Sequence, residues 1–292
     1  MPLRNILSTR PVAVIRRVAI GTFSDGFIHA GNLAYLAMLA IFPFFILGAA
    51  LFDLIGGREN AVAMVGAVMR AMPPTVAAVI APVAETVIFA RSGMLLWLGA
   101  AIGLWTVSSL IETIRDILRR AYRAQMVQAY WMTRLFSAGL ILAAVVVLML
   151  SLFAQVVIGA VQEVILAAVP RLGELISTLS GVRIVPALGL AVSLWVLFVT
   201  LTPPEYRKAG SPRWPGALFT TVWWIAVAVA LPVVLRYFFT YDLTYGSLAG
   251  SMVTLLFFWL VGLGLVIGAE LNAALALEGR NAGPAGASEE KA

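Results

Sequence analysis

The sequence predicts an all-α polytopic membrane protein with six transmembrane helices. Hydrophobic residues make up 62% of its 292 residues and charged residues only 12%, about half the share in soluble domains. A helix of about 20 apolar residues crosses the hydrocarbon core and satisfies its own backbone hydrogen bonds there. Six runs that long contain no Asp, Glu, Lys or Arg: residues 26–52, 92–111, 135–162, 184–204, 214–235 and 243–269.

Residues 1–24 precede the first run and predict a short amphipathic helix on the cytoplasmic face. Apolar residues such as Ile15 and Val18 recur at helical spacing, whereas Arg16 and Arg17 fall on the other side. No removable signal peptide is expected, because no apolar core with a small-residue cleavage site follows the start.

The segment between the first and second runs is long and apolar. Pro73, Pro74 and Pro82 interrupt it, which predicts short helices packed on the outer face of the membrane. Whether residues 71–90 re-enter the membrane stays open.

The formal net charge of +6 is explained by topology without a nucleic-acid partner. Most of the 20 Lys and Arg residues fall in cytoplasmic segments if both termini lie inside, as the positive-inside rule requires. We therefore expect an inner-membrane protein with a six-helix domain over residues 25–278 and a disordered cytoplasmic tail over 279–292. Anionic membrane lipids are natural partners of such arginine-rich ends.

The sequence lacks the residues that several kinds of catalytic and cofactor site require. The chain has no cysteine and a single histidine, His29, so thiolate sites and histidine clusters for metals are absent from the sequence. Lys208 and Lys291 are the only lysines, and neither belongs to a phosphate-binding loop. The sequence thus predicts a protein that is not an enzyme and has no cofactor, metal site or ATPase of its own.

A polar stripe in the second run is the main candidate for function. Its residues recur every three or four positions and share one helix face, and polar groups at membrane depth normally face a bundle interior or a wet cavity. The alternative, that the serines bond to their own helix and the charges lie at the headgroup level, stays open. The predicted polar cavity comprises Asn32, Tyr35, Trp105, Ser108, Ser109, Glu112, Arg115, Asp116, Arg119, Glu270 and Asn272.

Gly262, Gly264 and Gly268 in the sixth run predict a helix-packing surface, because small residues at this spacing let helices approach closely. Packing within the chain and packing in a homo-oligomer are both compatible with this pattern.

The chain resembles the YihY/BrkB family of bacterial inner-membrane proteins, once labelled ribonuclease BN. The residues that carry the likeness include Ala30-Gly31-Asn32-Leu33-Ala34-Tyr35, Leu104-Trp105-Thr106-Val107-Ser108-Ser109, Tyr245-Gly246-Ser247-Leu248 and Gly268-Ala269-Glu270-Leu271-Asn272-Ala273. The resemblance implies a six-helix inner-membrane protein linked to envelope lipid handling.

The leading hypothesis is a transporter or flippase-like protein for a lipid or an amphipathic anionic molecule. The alternative is a non-enzymatic scaffold that recruits envelope-assembly proteins. A ribonuclease is the least favoured, because metal-dependent RNA hydrolysis needs several clustered ligands and this sequence scatters its carboxylates.

Overall fold

The computed structural model describes residues 10–55, 62, 65–66, 68–70, 72–90, 94–124, 131–132, 134–141, 184–207, 212–238 and 248–281. The regular secondary structure of this part is helical throughout, as predicted. The helices are α1 (Arg10–Gly21), a π-helix (Thr22–Gly26), α2 (Phe27–Ile55), α3 (Pro74–Ala90), α4 (Met94–Tyr122), α5 (Ile184–Leu201), α6 (Pro204–Arg207), α7 (Trp214–Phe238) and α8 (Ala249–Asn281).

Four helices within these described ranges are long and apolar enough to cross a membrane: Pro11–Leu47, Trp97–Tyr122, Trp214–Tyr237 and Ala249–Glu278. They correspond to the first, second, fifth and sixth predicted spans. The fourth appears as the shorter apolar helix Ala187–Leu201. The third, residues 135–162, lies largely outside the described residues, as does most of the predicted tail, so the count of six stays a prediction.

Large apolar side chains cover the outside of these helices. Exposing such an apolar surface to water would be energetically unfavourable, whereas its contact with lipid tails is not. The long apolar helices and this surface together indicate a membrane protein. Exposed examples are Ile28, Leu39, Ile102, Leu188, Val192, Leu218, Val229 and Met252.

The chain divides into two compact units. The first gathers Met1–Met38, Ser109–Ala129 and Leu190–Ala292, and the second gathers Leu39–Ser108 and Tyr130–Gly189. In the second unit, Gly103 lies against Pro43, where an added Cβ would come within 2.8 Å of the Pro43 carbonyl oxygen.

Glycines of α8 set its packing against α7 in the first unit. A Cβ at Gly264 would overlap the Trp223 ring, and one at Gly268 would overlap the Thr220 hydroxyl. The Thr220 hydroxyl donates to the carbonyl of Gly216, 2.8 Å away, and lies 3.2 Å from that of Gly264. The Trp223 indole N–H donates to the Leu260 carbonyl at 2.8 Å. These contacts hold the two helix backbones at close range.

The side chain of Asn272 joins α8 to the beginning of α7. It is 1% exposed, accepts a hydrogen bond from the Gly216 N–H at 2.8 Å and donates to the Arg213 carbonyl at 3.0 Å. Gly216 lies in the first turn of α7, where backbone N–H groups have no partner within the helix. Asn272 therefore caps a neighbouring helix.

Candidate functional site

The polar stripe on α4 is mostly engaged with its own helix. Ser108 is buried, and its hydroxyl donates to the Leu104 carbonyl at 2.6 Å. The Arg115 guanidinium lies 3.1 Å from both carboxylate oxygens of Glu112 and is 6% exposed. A buried ion pair of this kind depends on both partners, because removing one leaves the other charge uncompensated.

The remaining residues of the stripe are more open. Asp116 pairs with Arg120 at 2.9 Å near the end of α4, where both are substantially exposed. Ser109 and Arg119 are half-buried. Trp105 is exposed and lies under the Arg134 guanidinium, 3.9 Å from its ring centroid.

The other predicted cavity residues lie on α2 and α8. Asn32 is exposed on α2, and Asn272 is used for capping as described above. Tyr35 lines an apolar pocket of about 420 Å³ with neighbours that include Gly31 and Trp259.

Glu270 lines a different cavity, of about 410 Å³, built within the first unit by α1, the π-helix, α2, α4 and α8. We call this space the arginine cavity. Among the predicted site residues only Glu270 lies on its wall. The charged or titratable residues of the wall are Arg16, Arg17, Asp25, His29, Arg120, Arg123, Glu270 and Glu278.

Helical periodicity places these side chains together. On α1 and the π-helix, lining residues recur at three- and four-residue steps from Ala13 through Arg17 to Ser24, so they share one face. On α4, Ile117 and Arg120 do the same. This spacing was visible in the sequence, but only the fold shows that the two faces meet.

Some of the wall charges neutralise one another. Arg17 pairs with Glu278 at 3.4 Å, and Arg120 pairs with Asp116. Four other charged residues line the cavity and form no ion pair among the described residues. They are the cations Arg16 and Arg123 and the carboxylates Asp25 and Glu270.

The π-helix shapes the wall opposite Glu270. At its beginning, Gly21 has no side chain, and a Cβ there would overlap the Glu270 carboxylate. At its end, a Cβ on Gly26 would come within 3.1 Å of Val266. Single turns of π-helix often occur at functional sites. His29 also lines the cavity, and its Nε2 is buried without a hydrogen-bond partner among the described residues.

Arg123 occupies an unusual backbone position on the rim. It follows α4 with a φ of 54°, and its N–H bonds to the Arg120 carbonyl at 3.0 Å. The next N–H, of Ala124, bonds to the Arg119 carbonyl at 3.0 Å. These two bonds form a Schellman motif, whose left-handed position is usually occupied by glycine. An arginine there costs stability and places a guanidinium at the cavity instead.

Among the described residues, no group of three or more His, Cys, Asp or Glu side chains is placed to hold a metal ion.

The family model for virulence factor BrkB matches residues 22–292. The chain belongs to the BrkB family. The resemblance noted from the sequence is thereby confirmed.

This BrkB-family chain is also similar to a curated protein of Bacillus subtilis (strain 168), the putative ribonuclease-like protein YfkH. The two are 26% identical over 269 residues, which cover 87% of this chain and 91% of that protein. No solved structure matches the chain.

Proposed function

We propose that this protein binds an amphiphile with a phosphate in its headgroup, in the first instance a membrane phospholipid, in the arginine cavity and transfers that headgroup across the membrane. The observation that carries the proposal is the cavity itself, where guanidinium groups from α1 and α4 converge beside long apolar helices. Guanidinium groups bind phosphate through paired hydrogen bonds.

The surroundings of the cavity favour an amphiphile over a small soluble anion. Ile20 lines the cavity and is largely exposed, and Ile15 and Phe23 are exposed on the same helical segment. A headgroup bound by the arginines would therefore have apolar side chains next to it, where acyl chains can remain in contact with hydrocarbon.

The backbone at Arg123 supports a functional role for that side chain. A non-glycine residue with positive φ carries a steric cost, and such costs persist where function requires the residue. Glycine at this position would remove the cost, so stability alone does not account for the arginine.

The variant Arg123→Gly therefore separates function from folding. The purified full chain is reconstituted into vesicles that contain phosphatidylethanolamine or phosphatidylglycerol, each labelled with a fluorophore on an acyl chain. The fraction of label that becomes accessible to a membrane-impermeant quencher is then followed over time. We expect transfer to slow by about tenfold, because a hydrogen bond to a charged group is worth about 1.5–3 kcal/mol. The free energy of unfolding in detergent should be unchanged or rise by up to about 1 kcal/mol.

Arg236→Gln is the matched control, since Arg236 is exposed near the end of α7 and lies outside the cavity wall. It should transfer lipid at the wild-type rate. If the wild-type protein moved no labelled lipid, or if Arg123→Gly and Arg236→Gln moved it equally fast, the proposal would be refuted.

A further inference from the structure

Resting on the proposed function, we infer that the arginine cavity selects a headgroup carrying both a phosphate and a protonated amine. The ligand class is an aminophospholipid of the phosphatidylethanolamine type, and not a purely anionic phospholipid. The inference follows from the mixed sign of the wall charges, from the position of the Glu270 carboxylate and from the size of the cavity.

The wall offers two signs of charge after its internal ion pairs are taken into account. Arg17 and Arg120 already have carboxylate partners. Arg16 and Arg123 are then available to a phosphate, and Asp25 and Glu270 to a cation. A phosphate joined by two carbons to an ammonium group matches this pattern, since each sign of charge finds its opposite.

Glu270 is the better placed acceptor for the amine. It projects from α8 into the space left by the missing side chain of Gly21. The side chain is only half-exposed and lies within electrostatic reach of Arg17 and Arg123, and a carboxylate removed from water is further stabilised by direct hydrogen-bond donors. A primary ammonium supplies three N–H donors together with a positive charge.

The same carboxylates disfavour a headgroup that carries only negative charge. Phosphatidylglycerol would bring its phosphate to the arginines but no cation to Glu270 or Asp25, so like charges would share a small space. The headgroup of phosphatidylglycerol has two hydroxyl groups in place of the ammonium. Because these donors are uncharged, they form weaker hydrogen bonds to a carboxylate. Phosphatidylcholine has a cation but no N–H donor on it.

The volume fits a headgroup but not a whole lipid. About 410 Å³ lies near the lower end of the range for small-molecule sites. The acyl chains would remain outside, beside the exposed Ile20 on the rim.

The test is a competition between two lipids for the purified full chain. The protein is incubated with equal amounts of phosphatidylethanolamine and phosphatidylglycerol that have the same acyl chains, and the lipids that remain bound are quantified by mass spectrometry. We expect the ethanolamine lipid to be enriched by about tenfold, the factor that one charge-assisted hydrogen bond supplies. Glu270→Gln should reduce this ratio to about one.

Three further variants complete the test. Arg123→Gly should lower the binding of both lipids and leave their ratio unchanged, because both carry the phosphate. Arg236→Gln should change neither quantity. Asp25→Asn, on the exposed part of the wall, replaces Glu270→Gln if the latter does not melt cooperatively.

The outcomes distinguish this inference from the proposed function. Equal or preferred binding of phosphatidylglycerol, or a ratio that Glu270→Gln leaves unchanged, overturns the inference and leaves lipid transfer standing. Failure to bind either lipid, with no transfer in vesicles, overturns both. Free phosphoethanolamine and inorganic phosphate serve as soluble competitors. Displacement of the ethanolamine lipid by phosphoethanolamine but not by phosphate supports recognition of the complete headgroup, and equal displacement by both overturns it.

Discussion

The substitution Asn272→Ala removes the side chain that caps α7 from the neighbouring helix α8. Two buried hydrogen bonds are lost, one from the Gly216 N–H at 2.8 Å and one to the Arg213 carbonyl at 3.0 Å. Each is worth about 1 kcal/mol net. The Gly216 N–H has no alternative partner in the first helical turn, and a buried unsatisfied donor costs about 1–3 kcal/mol more.

Alanine recovers a few tenths of a kcal/mol through its better helix propensity, about 0.7 kcal/mol at most. The free energy of unfolding should therefore fall by about 2–4 kcal/mol. For a chain of this size that corresponds to a drop in Tm of roughly 4–16 °C, taking about 2–4 °C per kcal/mol. The measurement is thermal unfolding of the full chain in detergent, followed by tryptophan fluorescence and circular dichroism.

Asn32→Ala is the matched control, because the same truncation is made at an exposed asparagine on α2. Its effect should be within about 0.5 kcal/mol, as for most exposed substitutions. Equal shifts in Tm for the two variants would refute the reasoning, since they would show that the buried amide contributes nothing beyond its exposed counterpart.

The packing and charge of the described residues predict the effects of two other substitutions, each paired with a control variant. Gly268→Ala should destabilise by about 1–3 kcal/mol because its Cβ overlaps atoms of α7, whereas Gly139→Ala, with no atom within 4 Å of its Cβ, should be neutral or stabilising in the same melting assay. Equal effects would contradict the packing argument. Glu112→Gln should lower the free energy of unfolding by about 1.5–3 kcal/mol, because the buried Arg115 guanidinium loses a charged hydrogen-bond partner. Asp116→Asn, which breaks a more exposed pair, should cost less than about 1 kcal/mol, and the reverse order would contradict the assignment of burial.

The sequence predicted the helical class and the apolar helices well, because membrane-spanning helices have a local signature in length and hydropathy. The sequence predicted short helices interrupted at Pro82 between the first two spans, whereas the structure has one helix, Pro74–Ala90, that continues through Pro82. The family was predicted from a series of short motifs, and the match over residues 22–292 confirms it.

The arginine cavity was not predicted, for a physical reason. It takes residues from α1, α4 and α8, and the faces that meet depend on the rotation of each helix about its axis. Glu270 was found because a charge at the end of an apolar run is conspicuous. Arg16, Arg17 and Arg123 were assigned only to topology, since a basic residue at the membrane edge has the same local signature whether it contacts solvent or lines a cavity.

The π-helix Thr22–Gly26 determines the rotational setting of α1 relative to α2. A π-turn holds one residue more than an α-turn, so regular α-helix with all five residues of this segment in place would turn α1 by about 100°, the advance of one residue. Arg16 and Arg17 would then be turned relative to Glu270, although the length, composition and hydropathy of the chain would be unchanged. Relatives with a one-residue gap in this segment would thus keep both arginines on the same side of α1 in a regular α-helix.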